Sequence, residues 1–140
     1  MHRILLLVAV ILAILTASLS RYVRAEGAES VKICSVINLI ATPERYDGLR
    51  VRTVGVAKIG FEADAIYLSP DDARESVMVN GVSLSFEGSG IDKEDKEALH
   101  LKRVLVEGTY RSNATDDTGG WRGSISNISI IYSLDDVKME

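Results

Sequence analysis

Residue types that perform catalysis are scarce in this chain. Cys34 is the only cysteine, and His100 is the only histidine apart from His2 at the N-terminus. A Ser-His-Asp or Cys-His arrangement would therefore have to use His100, which ends a charged segment where exposure or a favourable helix dipole explains it. A single histidine and a single cysteine also supply at most half of the usual zinc ligands. The sequence thus predicts no catalytic residue, no metal site and no cofactor, and we expect that the protein is not an enzyme.

Paired carboxylates are the other candidates for acid-base chemistry. They occur at Asp71-Asp72, Asp116-Asp117 and Asp135-Asp136, and such pairs act as acid and base only where their surroundings separate the two pKa values. None of the three lies next to an apolar run that would desolvate one partner. The segment from Asp116 to Gly120 offers oxygen ligands for calcium, but it lacks the alternating aspartates of a calcium loop. We assign the first pair to helix capping and the second to loop solvation.

The single cysteine lies in an apolar segment, Val31–Ile37. It cannot form an intramolecular disulfide, and we expect a small buried core residue. An intermolecular disulfide and a reactive thiol are the alternatives.

The residues that could form a binding surface are aromatic and basic. Tyrosines and one tryptophan fall on three predicted strands with arginines beside them, which suits stacking on a sugar, a base or a peptide. The alternative is that the rings belong to the core, because strand aromatics often place the ring inside and the polar atom in water. The predicted ligand-binding residues are Arg50, Arg52, Tyr67, Tyr110, Trp121 and Arg122. Trp121 is the best single candidate, because it flanks the loop before the last predicted strand.

Two strand segments of similar pattern must position these residues. The first is Leu49–Lys58, which follows a tight turn at Tyr46–Gly48, and the other is Lys102–Arg111. In the first segment the apolar residues change phase around Gly55, which predicts a β-bulge or a sharp bend. A bent strand can pair in two sheets at once, and a small barrel closes in this way.

The remaining elements fit between and around these strands. We predict a short helix Ser35–Ala41, a strand Ala65–Ser69, a helical turn Pro70–Glu75, a strand region Val77–Phe86, a surface helix Ile91–His100 and a last strand Trp121–Tyr132. Ser35, Ser69 and Asp92 are the expected N-caps. Asn80-Gly81 fits a bend into the third strand, which we favour, or a two-residue hairpin turn. The inward-facing candidates of the last strand are Ile125, Ile128 and Ile130.

Five strands with a helix between the third and fourth resemble the OB-fold, a Greek-key barrel whose strand faces and loops bind ligands. We therefore expect a mainly β, five-stranded OB-fold-like barrel over residues 31–134, with a short N-terminal helix. The chain also resembles small exported bacterial proteins of uncharacterised function. These pair a Pro-x-x-Tyr-Asp-Gly turn with a Val-x-Val-Glu-Gly-Thr fourth strand, here Pro43–Gly48 and Val104–Thr109. The resemblance implies the fold and transfers no catalytic residue.

The N-terminal segment has the pattern of a signal peptide. A basic start at Arg3 precedes an unbroken apolar run, Ile4–Leu15, and Val23-Arg24-Ala25 offers a cleavage site. We expect cleavage after Ala25 and export to the periplasm or the extracellular space. The alternative is an uncleaved membrane anchor that uses residues 4–20, although the apolar run is shorter than the roughly 20 residues of a spanning helix. We expect residues 135–140 to be a frayed tail.

The charge after residue 25 argues against nucleic acid. That part of the chain has 20 acidic and 13 basic residues, a formal net charge of −7, whereas affinity for nucleic acid comes largely from neutralised phosphates. Our main hypothesis is a non-catalytic exported OB-fold module that binds another protein or a small polar ligand. The alternative is an OB-fold that binds nucleic acid or another anionic polymer. A hydrolase is disfavoured, because no nucleophile and base pair is evident.

Overall fold

The computed structural model describes residues 30–61, 63–113 and 120–136. In these ranges the chain forms six strands, three short helices and two 3-10 turns. The strands are β1 (Lys32–Ile33), β2 (Arg50–Lys58), β3 (Ala65–Tyr67), β4 (Gly81–Leu84), β5 (Arg103–Ser112) and β6 (Gly123–Ser133). The helices are α1 (Val36–Ala41), α2 (Pro70–Glu75) and α3 (Lys93–Ala98), and the 3-10 turns are Pro43–Arg45 and Met78–Asn80.

β2 closes the barrel because it pairs with two strands. Its residues Arg50–Val56 are antiparallel to β5, and its residues Val56–Lys58 are antiparallel to β3. β3 pairs with β4, β4 is parallel to β6, and β6 pairs with β5. β1 is an additional two-residue strand parallel to β2. The closed ring of five strands, with α3 between β4 and β5, confirms the predicted OB-fold-like barrel.

The β-bulge predicted near Gly55 is wrong, whereas the predicted pairing of this strand with two neighbours, which closes the barrel, is confirmed. Residues from Arg50 to Val56 pair with β5 without any shift of register. The side chain of Val54 is exposed, while Val56 is buried on the outer side of the barrel, in a small cluster with Ala73 of α2. The apolar pattern changes because α2 covers Val56 on the outer face of β2. The alternation of inward and outward side chains along the strand is regular.

Gly55 is required by a close approach of chain segments. A Cβ at this position would lie 2.6 Å from the carbonyl oxygen of Tyr67, 2.7 Å from Ile66 Cγ1 and 2.9 Å from Val36 Cγ2. No side chain fits at such distances without movement of the neighbouring strand. The glycine therefore permits β2 to pack tightly where it passes from β5 to β3.

The irregularity of the sheet lies in β6. Glu107 of β5 pairs with Ile130, and Thr109 pairs with Ser126, so β6 has two extra residues between these points. Asn127 takes a left-handed conformation there, with φ 48°, as one residue of a bulge often does. Ile125 and Ile128 are buried as predicted. Ile130 is 36% exposed, which corrects its assignment to the core, because the bulge turns it outward.

The helices begin where the sequence indicates. Ser35, Ser69 and Asp92 each accept a hydrogen bond from the backbone three residues later, at Asn38, Asp72 and Asp95, as N-caps do. A 3-10 turn ends at Asn80 and leads into β4, so the favoured bend is confirmed over the hairpin. The core side chains with no exposed surface are Leu39, Val51, Ala57, Ile66, Val82, Val104, Val106, Tyr110 and Ile125.

The chain ends lie partly outside the described ranges. The predicted signal segment, residues 1–25, falls wholly among residues that the structure does not describe, as do residues 137–140 of the predicted tail. Asp135 accepts a hydrogen bond from the backbone of Arg103 at 2.9 Å, and Asp136 binds Lys102 Nζ at 2.7 Å. None of the helices in the described ranges has the length and apolar character needed to cross a bilayer.

Candidate ligand-binding surface

The structure separates the predicted site residues into three environments. Arg50 and Arg52 lie on the outer face of β2, and Tyr110 is in the barrel core. Tyr67 and Trp121 are in contact with each other beside a surface cavity, and Arg122 is exposed next to Trp121. The expected arrangement of aromatic and arginine side chains on one face is therefore not present. The environment with a cavity is the one around Tyr67 and Trp121.

Arg50 and Arg52 are both bound to Glu107, a residue that we did not single out. Arg50 Nε donates to Oε1 at 3.1 Å, and Arg52 donates to Oε2 through Nε at 3.0 Å and through Nη2 at 2.7 Å. The arginine side chains cover the carboxylate, which is only 6% exposed. The hydrogen bonds from Arg52 hold the pKa of Glu107 below its ordinary value, against the effect of burial. The two arginines therefore belong to a cross-strand ion network with Glu107.

Tyr110 is a core residue and not part of a surface. Its ring has no exposed area. Its hydroxyl donates to the carbonyl oxygen of Leu39 at 2.9 Å, and the carbonyl oxygen of Arg122 is a second acceptor at 3.2 Å. Burial raises the pKa of the phenol to about 12. We correct its prediction as a ligand-binding residue: the alternative that strand aromatics fill the core applies here.

Tyr67 and Trp121 form an aromatic pair on the outside of the barrel. Their ring centroids are 5.4 Å apart with an interplanar angle of 69°, an edge-to-face arrangement that aromatic pairs favour. Tyr67 lies beneath, 1% exposed, while Trp121 is half-buried. A Cβ at Gly81 would lie 2.7 Å from Trp121 Cζ3 and 3.0 Å from Tyr67 Cδ1. The glycine at the start of β4 therefore makes room for the pair.

A cavity of about 420 Å³ opens beside this pair. It lies between the loop that joins β2 to β3 and the residues that precede β6, the region where OB-folds bind oligonucleotides and oligosaccharides. Its lining residues are Lys58, Gly60, Phe61, Ala63, Tyr67, Ser76, Met78 and Trp121. We call it the Trp121 cavity. Phe61 is fully exposed at its rim, with a relative exposure of 106%.

The polar wall of the Trp121 cavity is built around Lys58 and Ser76. Lys58 Nζ donates to the carbonyl oxygen of Arg74 at 3.2 Å and also to Ser76 Oγ. Ser76 ends α2 in a left-handed conformation, with φ 54° and ψ 46°, where a residue other than glycine costs about 1 kcal/mol or more. An ammonium has three N–H donors, and those contacts use two of them. Among the residues that the structure describes, the third donor has no partner, so it can bind an anionic or carbonyl group of a ligand.

Sequence reasoning missed most of this cavity. Lys58 ends a predicted strand, Phe61 falls between two predicted strands, and Met78 lies in a predicted strand region. One sequence feature could have indicated Phe61: it is a large aromatic residue directly after a glycine in a predicted loop. A loop offers no core position for such a side chain. Lys58 and Ser76 had no such signal, because α2 brings them together.

The residues first considered for catalysis and metal binding have these positions in the structure. No group of three or more His, Cys, Asp and Glu in the ranges 30–61, 63–113 and 120–136 could hold a metal ion. Residues 116–119 of the candidate calcium segment lie outside those ranges. His100 Nδ1 accepts the backbone N–H of Ile59 at 3.1 Å. This histidine therefore fixes the end of the β2 strand to the segment after α3.

Comparison with known proteins gives one structural likeness. No family model matches the chain, and no curated protein matches it. A crystal structure of the S. pombe Stn1-Ten1 complex is similar over 80% of this chain and 84% of that chain, with 12% identity and a TM-score of 0.45.

The expectation that nucleic acid is disfavoured as a partner is corrected. It rested on the net charge of the whole chain after residue 25, whereas an OB-fold binds oligonucleotides at one local face. The barrel has that topology, and a cavity with aromatic side chains lies at that face. The net charge of the chain therefore does not argue against nucleic acid.

Proposed function

We propose that this protein is a non-catalytic OB-fold binding protein that binds single-stranded nucleic acid at the Trp121 cavity. The observation that carries the proposal is the position of two aromatic side chains at one cavity. Trp121 forms one wall and Phe61 stands at the rim, with the Lys58 ammonium between β2 and α2. Stacking platforms for unpaired bases combine aromatic faces and a cation in this manner.

The energetics favour stacking over ionic attraction. Every base has a π-face, and stacking on an aromatic side chain contributes about 1–3 kcal/mol per base. Two nearby carboxylates are paired with cations, Asp64 with Lys96 at 2.6 Å and Asp71 with Arg74 at 2.8 Å. Asp72 instead binds the neutral side chains of Ser69 and Asn80, and its charge acts on Tyr67 of the cavity. We expect modest affinity and a shallow salt dependence, because few phosphates are neutralised.

Export is part of this proposal. The signal-like pattern of residues 1–25 supports it, and an exported binding protein would meet nucleic acid outside the cytoplasm. A small polar ligand such as a sugar is the competing ligand class, since sugars also stack on aromatic rings. The experiment below separates the two ligand classes.

Trp121 is the only tryptophan of the chain, so intrinsic fluorescence reports on this site alone. We expect oligo(dT) to quench it and a neutral oligosaccharide to leave it unchanged. Trp121→Ala should weaken binding of a labelled oligonucleotide by at least about 5-fold, measured by anisotropy. Tyr132→Ala is the control, because this exposed aromatic residue of β6 lies outside the cavity. Quenching by the oligosaccharide alone would replace the proposal by a sugar-binding function.

A further inference from the structure

A second cavity lies on the other side of Phe61. Its volume is about 390 Å³, and its lining residues are Ile59, Gly60, Phe61, Lys93, Lys96 and Glu97. Gly60 and Phe61 also line the Trp121 cavity. The two cavities therefore adjoin at Gly60 and Phe61, in the loop that follows β2.

The loop base is held in place beneath this ring. The backbone N–H of Ile59 donates to His100 Nδ1 at 3.1 Å, and the backbone N–H of Gly60 donates to Asp64 Oδ1 at 3.1 Å. Asp64 in turn binds Lys96 Nζ at 2.6 Å. Phe61 follows these anchored residues with its side chain fully exposed. An anchored loop that presents an aromatic ring to water between two cavities is suited to stacking with a ligand.

The charged side chains of the short helix α3 line two different cavities. Lys93, Lys96 and Glu97 line the second cavity, while Asp95 lines a different cavity together with residues of β6. Lys96 is bound to Asp64. Lys93 is 85% exposed and lies 3.7 Å from Glu97, an exposed pair that contributes little. Lys93 is therefore the cation of this cavity that can bind a phosphate at small cost.

We propose that the two cavities form one continuous binding track for a single oligonucleotide strand, which runs from Trp121 over Phe61 to Lys93. This inference rests on the proposed function and specifies its ligand as a polymer of several nucleotides. One base stacks on Trp121 and a neighbouring base on Phe61, while Lys93 binds a phosphate beyond Phe61. A mononucleotide reaches only the Trp121 cavity.

The consequence is a dependence of affinity on ligand length. Thymidine monophosphate occupies the Trp121 cavity alone, so changes at Lys93 do not affect its binding. A strand of several nucleotides, within the range of about 4–16 per OB-fold, contacts both cavities and gains a second stacked base and the contribution of Lys93.

The test titrates Trp121 fluorescence of the full chain with thymidine monophosphate and with oligo(dT) of increasing length. We expect Phe61→Ala to weaken the longer strands by about 10-fold. Lys93→Gln should weaken them about 3-fold and lower the slope of log affinity against log salt by about 0.7. Lys93→Gln should leave the binding of the monophosphate unaffected. Lys32→Gln is the charge-matched control, because Lys32 is an exposed lysine of β1 outside both cavities.

The outcomes separate the two proposals. If neither the monophosphate nor any oligonucleotide quenches Trp121 or binds in the anisotropy assay, the proposed function fails and the track fails with it. If oligonucleotides bind with an affinity independent of length, or if Lys93→Gln behaves as Lys32→Gln does, the track alone is wrong. Circular dichroism of each variant checks that the barrel is folded.

Discussion

Arg52 and Glu107 are direct partners across β2 and β5, and two guanidinium nitrogens of Arg52 donate to the same carboxylate oxygen, Oε2, at 3.0 and 2.7 Å. Arg50 occupies the other oxygen at 3.1 Å. The carboxylate is thus satisfied on both sides, on an outer barrel face where its burial would otherwise be costly. This network joins β2 to β5 along the longest ladder that β2 forms.

Glu107→Gln should lower stability in a pH-dependent way. The folded pKa of Glu107 lies below the ordinary value of 4.5, chiefly because of the hydrogen bonds from Arg52. A depressed acid contributes stability that is present above the unfolded pKa and is lost as the pH falls through the folded pKa. We expect a loss of about 1–3 kcal/mol at neutral pH and a smaller loss in acid, measured by urea unfolding at several pH values. Glu87→Gln, at an exposed position, is the control, and an equal loss at all pH values would contradict the prediction.

Gly55→Ala should destabilise the barrel. The added Cβ would lie 2.6 Å from the carbonyl oxygen of Tyr67, so β2 and β3 would have to separate, at a cost of about 1–3 kcal/mol. Gly60→Ala is the matched control for stability, because the nearest atom to its Cβ would be 3.6 Å away. Thermal unfolding followed by circular dichroism measures both. Equal melting temperatures for the two variants would show that the close approach at Gly55 is not limiting.

Cys34 should react slowly with alkylating reagents in the folded protein. Burial raises the pKa of its thiol from 9.0 to about 11, so the reactive thiolate at pH 8 is about 100-fold scarcer than in the unfolded chain. The rate of iodoacetamide labelling with and without urea, followed by mass spectrometry, measures the ratio. Equal rates in the two states would favour the alternative of a reactive thiol.

The mature protein should begin at Glu26. The basic start, the apolar run and Val23-Arg24-Ala25 predict cleavage after Ala25. N-terminal sequencing of the protein from a bacterial expression host, fractionated into periplasm and membrane, measures this directly. A product in the membrane fraction that retains Met1 would instead support the uncleaved anchor.

Local sequence signals predicted the elements of the fold but not the contacts between them. Ser35, Ser69 and Asp92 marked the helix starts, because a cap acts on backbone groups three residues away. The ion network of Glu107 could not be predicted, since its partners are 55 and 57 residues distant. Trp121 was predicted to flank the loop before the last strand, and it precedes β6. Its contact with Tyr67 and the placement of Phe61 and Lys58 depend on α2 and on barrel closure, which local patterns do not encode.

The parallel ladder between β4 and β6 has only two register pairs, Ser83 with Ser124 and Leu84 with Ile125. It is the shortest ladder in the closed ring of strands, and short ladders open at lower free energy than long ones. Tyr67 belongs to the β3 and β4 side of this ladder, and Trp121 precedes β6 on the other side. A ligand bound in the Trp121 cavity, which both residues line, would connect the two strands at the shortest ladder of the barrel. Binding would then slow hydrogen exchange at the Ser85 amide, which bonds to the Ile125 carbonyl at 2.9 Å, far more than within the long β5 and β6 ladder.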